Sequence, residues 1–194
     1  MSDLTIRTAC RDDLDGVLEI VRYWSQVRGA DRSERGYLRH SYTREGLSAS
    51  VERGWCAVAV EGEHVVSVYL IHDGVSPEQI ETRQALIDEL MAEGRLPAGR
   101  YALTLVSATR EGFSGRGLNR ATFTQLRDQV ADEFDFFVGI GSADNEATQR
   151  SAVRMGWHTV GRVEAGLLGV AATTEAGDAR LRRMCGPRSD AEHE

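Results

Sequence analysis

The residues best suited to chemistry are Glu111 to Asn119, read EGFSGRGLN. Gly112, Gly115 and Gly117 fall close together in this stretch. Glycine carries no Cβ, so its backbone takes up positive φ and lets a ligand come near. The apolar run Tyr101–Ala108 (YALTLVSA) leads in, and an amphipathic run leads out. If these are a strand and a helix, the first N–H groups of the helix have no partner within it. Those groups and the positive end of the helix dipole attract an anion. The pattern therefore predicts a strand, a phosphate-cradling loop and a helix. On their own, the glycines fit an ordinary tight turn about equally well. Their spacing, Gly-x-x-Gly-x-Gly, is not the dinucleotide pattern Gly-x-Gly-x-x-Gly, and no Lys-Ser/Thr pair follows to make a P-loop.

The rest of the chain supplies elements to position that loop. Leu4–Thr8 alternates and reads as a strand. Asp12 and Asp13 open a helix whose apolar stripe is Leu14, Val17, Leu18, Val21 and Trp24. Gln26 to Gly46 is polar and arginine-rich, with Tyr37 and Tyr42, and reads either as a solvated connector or as a flap on the substrate side. A helix through Leu47 and Val51 follows. Trp55–Val60 and His64–Ile71 form a hairpin through Glu61-Gly62-Glu63, with His64 and His72 as surface residues at strand ends. Ser76-Pro77-Glu78-Gln79 starts another helix, with Ile80, Ile87, Leu90 and Met91 on its apolar face. Gly94 ends it and Pro97 lies beyond.

The helix after the glycine loop carries Phe123, Leu126, Val130 and Phe134, and Phe136–Ile140 is a buried strand parallel to Tyr101–Ala108. Asp144-Asn145 caps a helix that runs to Met155 and stops at Gly156. Trp157–Val163 and Leu167–Ala172 close the pattern as a hairpin, and from Gly186 the chain is polar and frayed.

Ser114, Gly115, Arg116, Gly117, Leu118 and Asn119 resemble motif A of the GCN5-related N-acetyltransferases (the GNAT family), Arg/Gln-x-x-Gly-x-Gly/Ala. Asn145 to Trp157, NEATQRSAVRMGW, resembles that family's motif B, Asn-x-x-Ala-x-x-x-Tyr-x-x-x-Gly-Phe, and lies one strand later, in the family's order. Ser114, Asn119, Thr148 and Ala152 depart from the two patterns. The resemblance implies an α/β GNAT fold: a mixed, twisted sheet of about six to seven strands, helices on both faces, and splayed central strands Tyr101–Ala108 and Phe136–Ile140. It implies one domain over residues 1–185, with 76–97 as an insertion that covers the sheet or serves homodimerisation; the polar residues 186–194 read as a disordered tail.

The resemblance also implies acetyl-CoA as cosubstrate. Ser114 to Asn119 would hold its pyrophosphate, Ala108 and Thr109 would bond its pantetheine through the strand backbone, and Asn145 would stand nearby in motif B. The activity implied is transfer of an acetyl or other acyl group to a primary amine of a small molecule, peptide or protein. Ala152 occupies the position of the family's tyrosine acid, so the candidate catalytic residues are Ser107, which can order a water, and Ser151, which can donate to sulfur. A non-catalytic acyl-CoA sensor is the rival reading, and an unrelated nucleotide-binding α/β protein is a third.

Composition narrows the classes further. A net charge of −7 argues against a general nucleic-acid binder. No apolar run approaches the ~20 residues of a membrane span, and the first residues contain no apolar signal region. Cys10, Cys56 and Cys185 are scattered, which suits a reduced cytoplasm and fits neither a disulfide framework nor a zinc spacing. No His/Cys/Asp/Glu cluster has metal spacing, so no metal is expected.

Overall fold

The structure, a computed structural model, describes residues 3–26, 38, 42–71, 77–163 and 166–185. The expectations for Tyr37, His72, Ser76 and the segment from Gly186 onward fall outside these residues. The strands are β1 (Leu4–Thr8), β2 (Cys56–Glu61), β3 (His64–Ile71), β4 (Tyr101–Thr109), β5 (Phe136–Ser142), β6 (His158–Val163) and β7 (Gly166–Ala172). The helices are α1 (Leu14–Gln26), α2 (Arg44–Glu52), α3 (Pro77–Ala92), α4 (Leu118–Gln129), α5 (Glu146–Arg154) and α6 (Glu175–Cys185).

Among the described residues these strands form one mixed sheet, in the order β1-β2-β3-β4-β5-β7-β6. Strands β1 to β4 are successive antiparallel neighbours, β5 runs parallel to β4, and β7 lies antiparallel between β5 and β6.

Each face of the sheet buries a helical stripe. On one face, Val17, Leu18, Val21 and Trp24 of α1 and Leu47 and Val51 of α2 pack on Val58, Val68, Leu70 and Val106. Further along that face, Ile87 and Leu90 of α3 and Leu181 of α6 pack on Leu103, Phe136, Val138 and Val170. On the opposite face, Phe123 and Leu126 of α4 pack on Tyr69, Ile71 and Phe137, with Trp157 alongside. Each fully buried apolar side chain of this size contributes about 1.5–3 kcal/mol.

The helix after the glycine loop ends at Gln129, earlier than its apolar pattern implies. Phe134 reaches the same cluster from the turn that follows. Asp128, Asp132 and Glu133 crowd that end of the helix, where negative charge opposes the helix dipole.

Helix α6 was not expected from the sequence. The Gly177 N–H donates to Thr174 Oγ1 at 3.1 Å and holds its first turn. Gly177 reads as a breaker in sequence, yet a Cβ there would stand 3.1 Å from Ala172 Cβ and 3.3 Å from the Asp135 carbonyl. The missing side chain is what lets α6 close on the sheet.

Two features of β4 shape the centre of the molecule. Ile71 pairs with Thr104 but Leu70 pairs with Val106, so Leu105 is an extra residue and β4 carries a bulge. Leu105 and Val106 consequently both turn into the α1 side of the core. The Leu105 carbonyl accepts from the Tyr42 hydroxyl at 2.9 Å in a buried bond. The pairing of β4 with β5 consists of Tyr101 with Phe136, Ala102 with Phe137 and Leu103 with Val138. Beyond Leu103 the strands part, which gives the splay expected from the resemblance.

Candidate functional site at the split between β4 and β5

Gly112, Gly115 and Gly117 have φ of 86°, 78° and 75°. A residue with a side chain would cost about 1–2 kcal/mol at each such position. Among the described residues, chain neighbours aside, no atom lies within 4 Å of where a Cβ would stand at any of the three. The backbone, not a crowded neighbour, therefore requires glycine here, and the space beside it is open to a ligand.

Apolar anchors hold the loop on either side of the glycines. Phe113 and Leu118 pack with Ala59, Val66 and Ile6. Arg116 lies 4.9 Å from the Phe113 ring centroid and pairs with Glu61 at 3.1 Å. Helix α1 holds the entry to the loop. Trp24 Nε1 donates to the Thr109 carbonyl at 2.9 Å, Arg110 pairs with Glu19 at 2.8 Å, and the Tyr23 hydroxyl donates to the Glu111 carboxylate. The first turn of α4 thus presents its N–H groups from a pinned loop, and the arrangement fits a phosphate.

Next to that turn, the structure joins the two candidate serines. Ser107 Oγ donates to Asn119 Oδ1 at 2.8 Å, and Asn119 Nδ2 donates to Ser151 Oγ at 3.0 Å. One side chain in the first turn of α4 therefore links β4, past the point where it leaves β5, to α5. Ser107 and Ser151 are 44 positions apart in sequence, so nothing short-range links them.

The other predicted residues take varied places. Ser114, Gly115, Arg116 and Gly117 are exposed on the loop. The Leu118 side chain is buried, which leaves its backbone for a ligand. Asn119, expected at the pyrophosphate, uses its side chain in the serine bridge, so only its N–H faces that task. Ser67 Oγ donates to the Ala108 carbonyl at 3.2 Å and lies 2.9 Å from Thr109 Oγ1. In the backbone expected to bond pantetheine, the carbonyls of Ala108 and Thr109 thus already accept bonds from within the protein. Asn145 is buried, and its side chain caps α5 by accepting from the Thr148 N–H at 3.2 Å. Ala152, where the resemblance places tyrosine, packs against the Phe123–Trp157 cluster. That position therefore faces core.

Within the segment Gln26–Gly46, Leu38 packs on the α1 core and Tyr42 is buried against β4. Among these described residues, the tyrosine serves the bulge and is not offered to an acceptor.

Sequence reasoning missed Tyr69. Tyr69 is the cross-strand partner of Ser107 and is fully buried, and burial pushes its phenol far above the usual range while the neighbouring Thr104 hydroxyl acts the other way. It stays protonated at any physiological pH, a donor and not a base. Thr104 lines a cavity of about 10 Å³ with Leu86, Ile87, Val138 and Ile140, just beyond the last β4–β5 pair. A bulge and a split set these positions, and neither leaves a local signal in sequence.

Among the described residues, no group of three or more His, Cys, Asp or Glu could hold a metal, and no helix is long and apolar enough to cross a membrane.

No family model matches the sequence, and no curated protein matches it. The fold does match solved structures. The PaiA N-acetyltransferase from Thermoplasma acidophilum, in complex with coenzyme A, superposes with a TM-score of 0.61 at 9% identity, over 88% of this chain and 99% of the other. A GNAT-family acetyltransferase from Listeria monocytogenes gives 0.60 at 15% identity, over 87% and 94%. YncA from Salmonella typhimurium, with its cofactor acetyl-CoA, gives 0.61 at 16% identity, over 90% and 96%. At these identities the likeness is one of fold, and the fold is that of the GNAT acetyltransferases.

Proposed function

We propose that this chain, which has the GNAT fold, is a CoA-dependent N-acyltransferase that moves an acetyl or other short acyl group from acyl-CoA to a primary amine. The observation that carries this reading is the pinned glycine loop at the mouth of the β4–β5 split, with a hydroxyl bridge beside it. The neighbours described with coenzyme A and acetyl-CoA support acyl-CoA as the cosubstrate. The scattered cysteines support a cytoplasmic setting.

In this reading the backbone of Gly115 to Asn119 and the first turn of α4 hold the pyrophosphate, and the edge of β4 beyond Leu103 lines the path to the thioester. The Ser107 backbone joins Ala108 and Thr109 on that edge. The amine nitrogen attacks the thioester carbonyl carbon, the C–S bond breaks, and the sulfur departs as thiolate. A thiol pKa near ~8.5 makes this leaving group stable without a strong acid. Ser151 needs only to donate a hydrogen bond to the developing thiolate. The proton lost by the amine leaves through water, because Thr104 and Ser107 can order a water but are not bases. An alkyl amine has a pKa near ~10.4, so turnover rises with pH as free amine accumulates.

The test is release of free CoA thiol from acetyl-CoA in the presence of an amine panel, alongside calorimetric titration with acetyl-CoA. Amine-dependent release and saturable binding are expected. Tight binding without release would replace the enzyme by an acyl-CoA sensor. Binding of ATP or NAD with none of acetyl-CoA would remove both.

A further inference from the structure

We infer that Asn119 is a positioning residue that sets the hydrogen-bond sense of Ser151, so that Ser151 presents its proton to the split. This rests on reading the chain as an acyltransferase. A carboxamide has an oxygen that only accepts and a nitrogen that only donates, while a serine hydroxyl does both but holds one proton. Ser107 spends its proton on Asn119 Oδ1 at 2.8 Å. That bond turns Nδ2 toward Ser151, whose oxygen receives it at 3.0 Å. Ser151 is thereby an acceptor toward Asn119 and retains its own proton. Among the described residues no acceptor takes that proton.

The bridge makes the two serines unequal. Ser107 is the anchor with its proton committed, and Ser151 is the end with its proton available. Thr122 Oγ1 donates to the Asn119 carbonyl at 3.0 Å and steadies the backbone that carries the bridge. The residue type at 119 also matters for this task. An aspartate of the same shape could only accept, and would draw the protons of both serines inward. Alanine would leave Ser151 free to turn. A glycine or alanine at this position, as in the motif that the sequence resembles, could not form the bridge.

The experiment measures kcat at saturating acetyl-CoA and amine, together with acetyl-CoA affinity and the melting temperature, for Asn119→Ala, Asn119→Asp, Ser151→Ala and the two double variants. Ser151→Ala should lower kcat by roughly 10- to 100-fold, toward the modest end of acid–base contributions. Asn119→Asp should lower it by a similar factor with the melting temperature little changed, since the shape is kept. In the Ser151→Ala background, either change at Asn119 should have no further effect on kcat. A merely structural role for Asn119 would instead multiply with the loss at Ser151, and that result would overturn the proposal. An unchanged kcat in Ser151→Ala, with acetyl-CoA still bound and turned over, would also overturn it and leave the acyltransferase standing. Failure of the unaltered protein to bind acetyl-CoA would remove the reading on which it rests.

Discussion

Gly139 of β5 and Gly169 of β7 are direct partners across their ladder, and the indole of Trp157 lies against both. A Cβ at Gly139 would stand 3.2 Å from that ring, and one at Gly169 would stand 3.0 Å from it. Phe123 also packs on that ring, at 6.1 Å between centroids. Gly169→Ala should therefore overpack the site and cost about 1–3 kcal/mol. A thermal melt checks this, with a fall of several degrees expected. A variant as stable as the parent would show that the indole has room to move.

Tyr42→Phe removes a donor and leaves the ring. The Leu105 carbonyl at the bulge then loses its buried bond of 2.9 Å. Leaving a buried acceptor unmet costs about 1–3 kcal/mol. Urea denaturation should show a lower midpoint with an unchanged slope. An unchanged midpoint would mean that water replaces the hydroxyl.

Asp13 should make stability depend on acid. Burial alone would raise its carboxyl, but hydrogen bonds from Arg7 and from the Cys10 N–H outweigh that and hold it below its ordinary value of 3.8. Its oxygens lie 2.6 and 2.8 Å from the guanidinium of Arg7. A depressed folded-state pKa stabilises the protein above the unfolded value, and the contribution is lost as pH falls through the folded value. Asp13→Asn should cost about 1–2 kcal/mol near neutrality, between the ranges for exposed and buried pairs because Arg7 is 39% exposed. The gap between parent and variant should narrow below pH ~4. A gap that stays constant from pH 7 to pH 3 would assign the effect to shape and not to charge.

Much of this architecture was legible because its signals are local. The stripe from Leu14 to Trp24, the hairpin turn at Gly62 and the three loop glycines each act over a few residues, and each lies where its period or residue type places it. The departure at Asn119 was visible in sequence as a mismatch, but its purpose was not. Its partners are Ser107 and Ser151, on different elements, so only the folded chain brings them together. The bulge at Leu105 was hidden for the same reason, since a bulge is a property of a pair of strands. Helix α6 was hidden by Gly177, whose value lies in the contact it permits with Ala172.

Ile87 is 1% exposed, and it closes the small cavity beyond the last β4–β5 pair. Ile87→Ala should cost about 2–5 kcal/mol through lost burial and a larger void. Leu86→Ala, at a half-buried position, should cost less. Chemical denaturation of both checks the order, and the reverse order would show that α3 sits differently over the split.

The division between β4 and β5 has a consequence for how the chain folds. Strands β1 to β4, with α4 against them, come from one continuous stretch, and each of these strands pairs with its neighbour in sequence. Of these pairings the β2–β3 hairpin is the most local and needs the least loop closure. During synthesis this unit can be complete before β5, β6 and β7 have emerged. Until then β4 is an edge strand whose unpaired N–H and C=O groups offer a template to any other extended chain. In the finished molecule β5 covers only the stretch from Tyr101 to Leu103. The period between completion of the first unit and docking of the second is when the β4 edge stands uncovered, and slow synthesis past residue 129 would lengthen it.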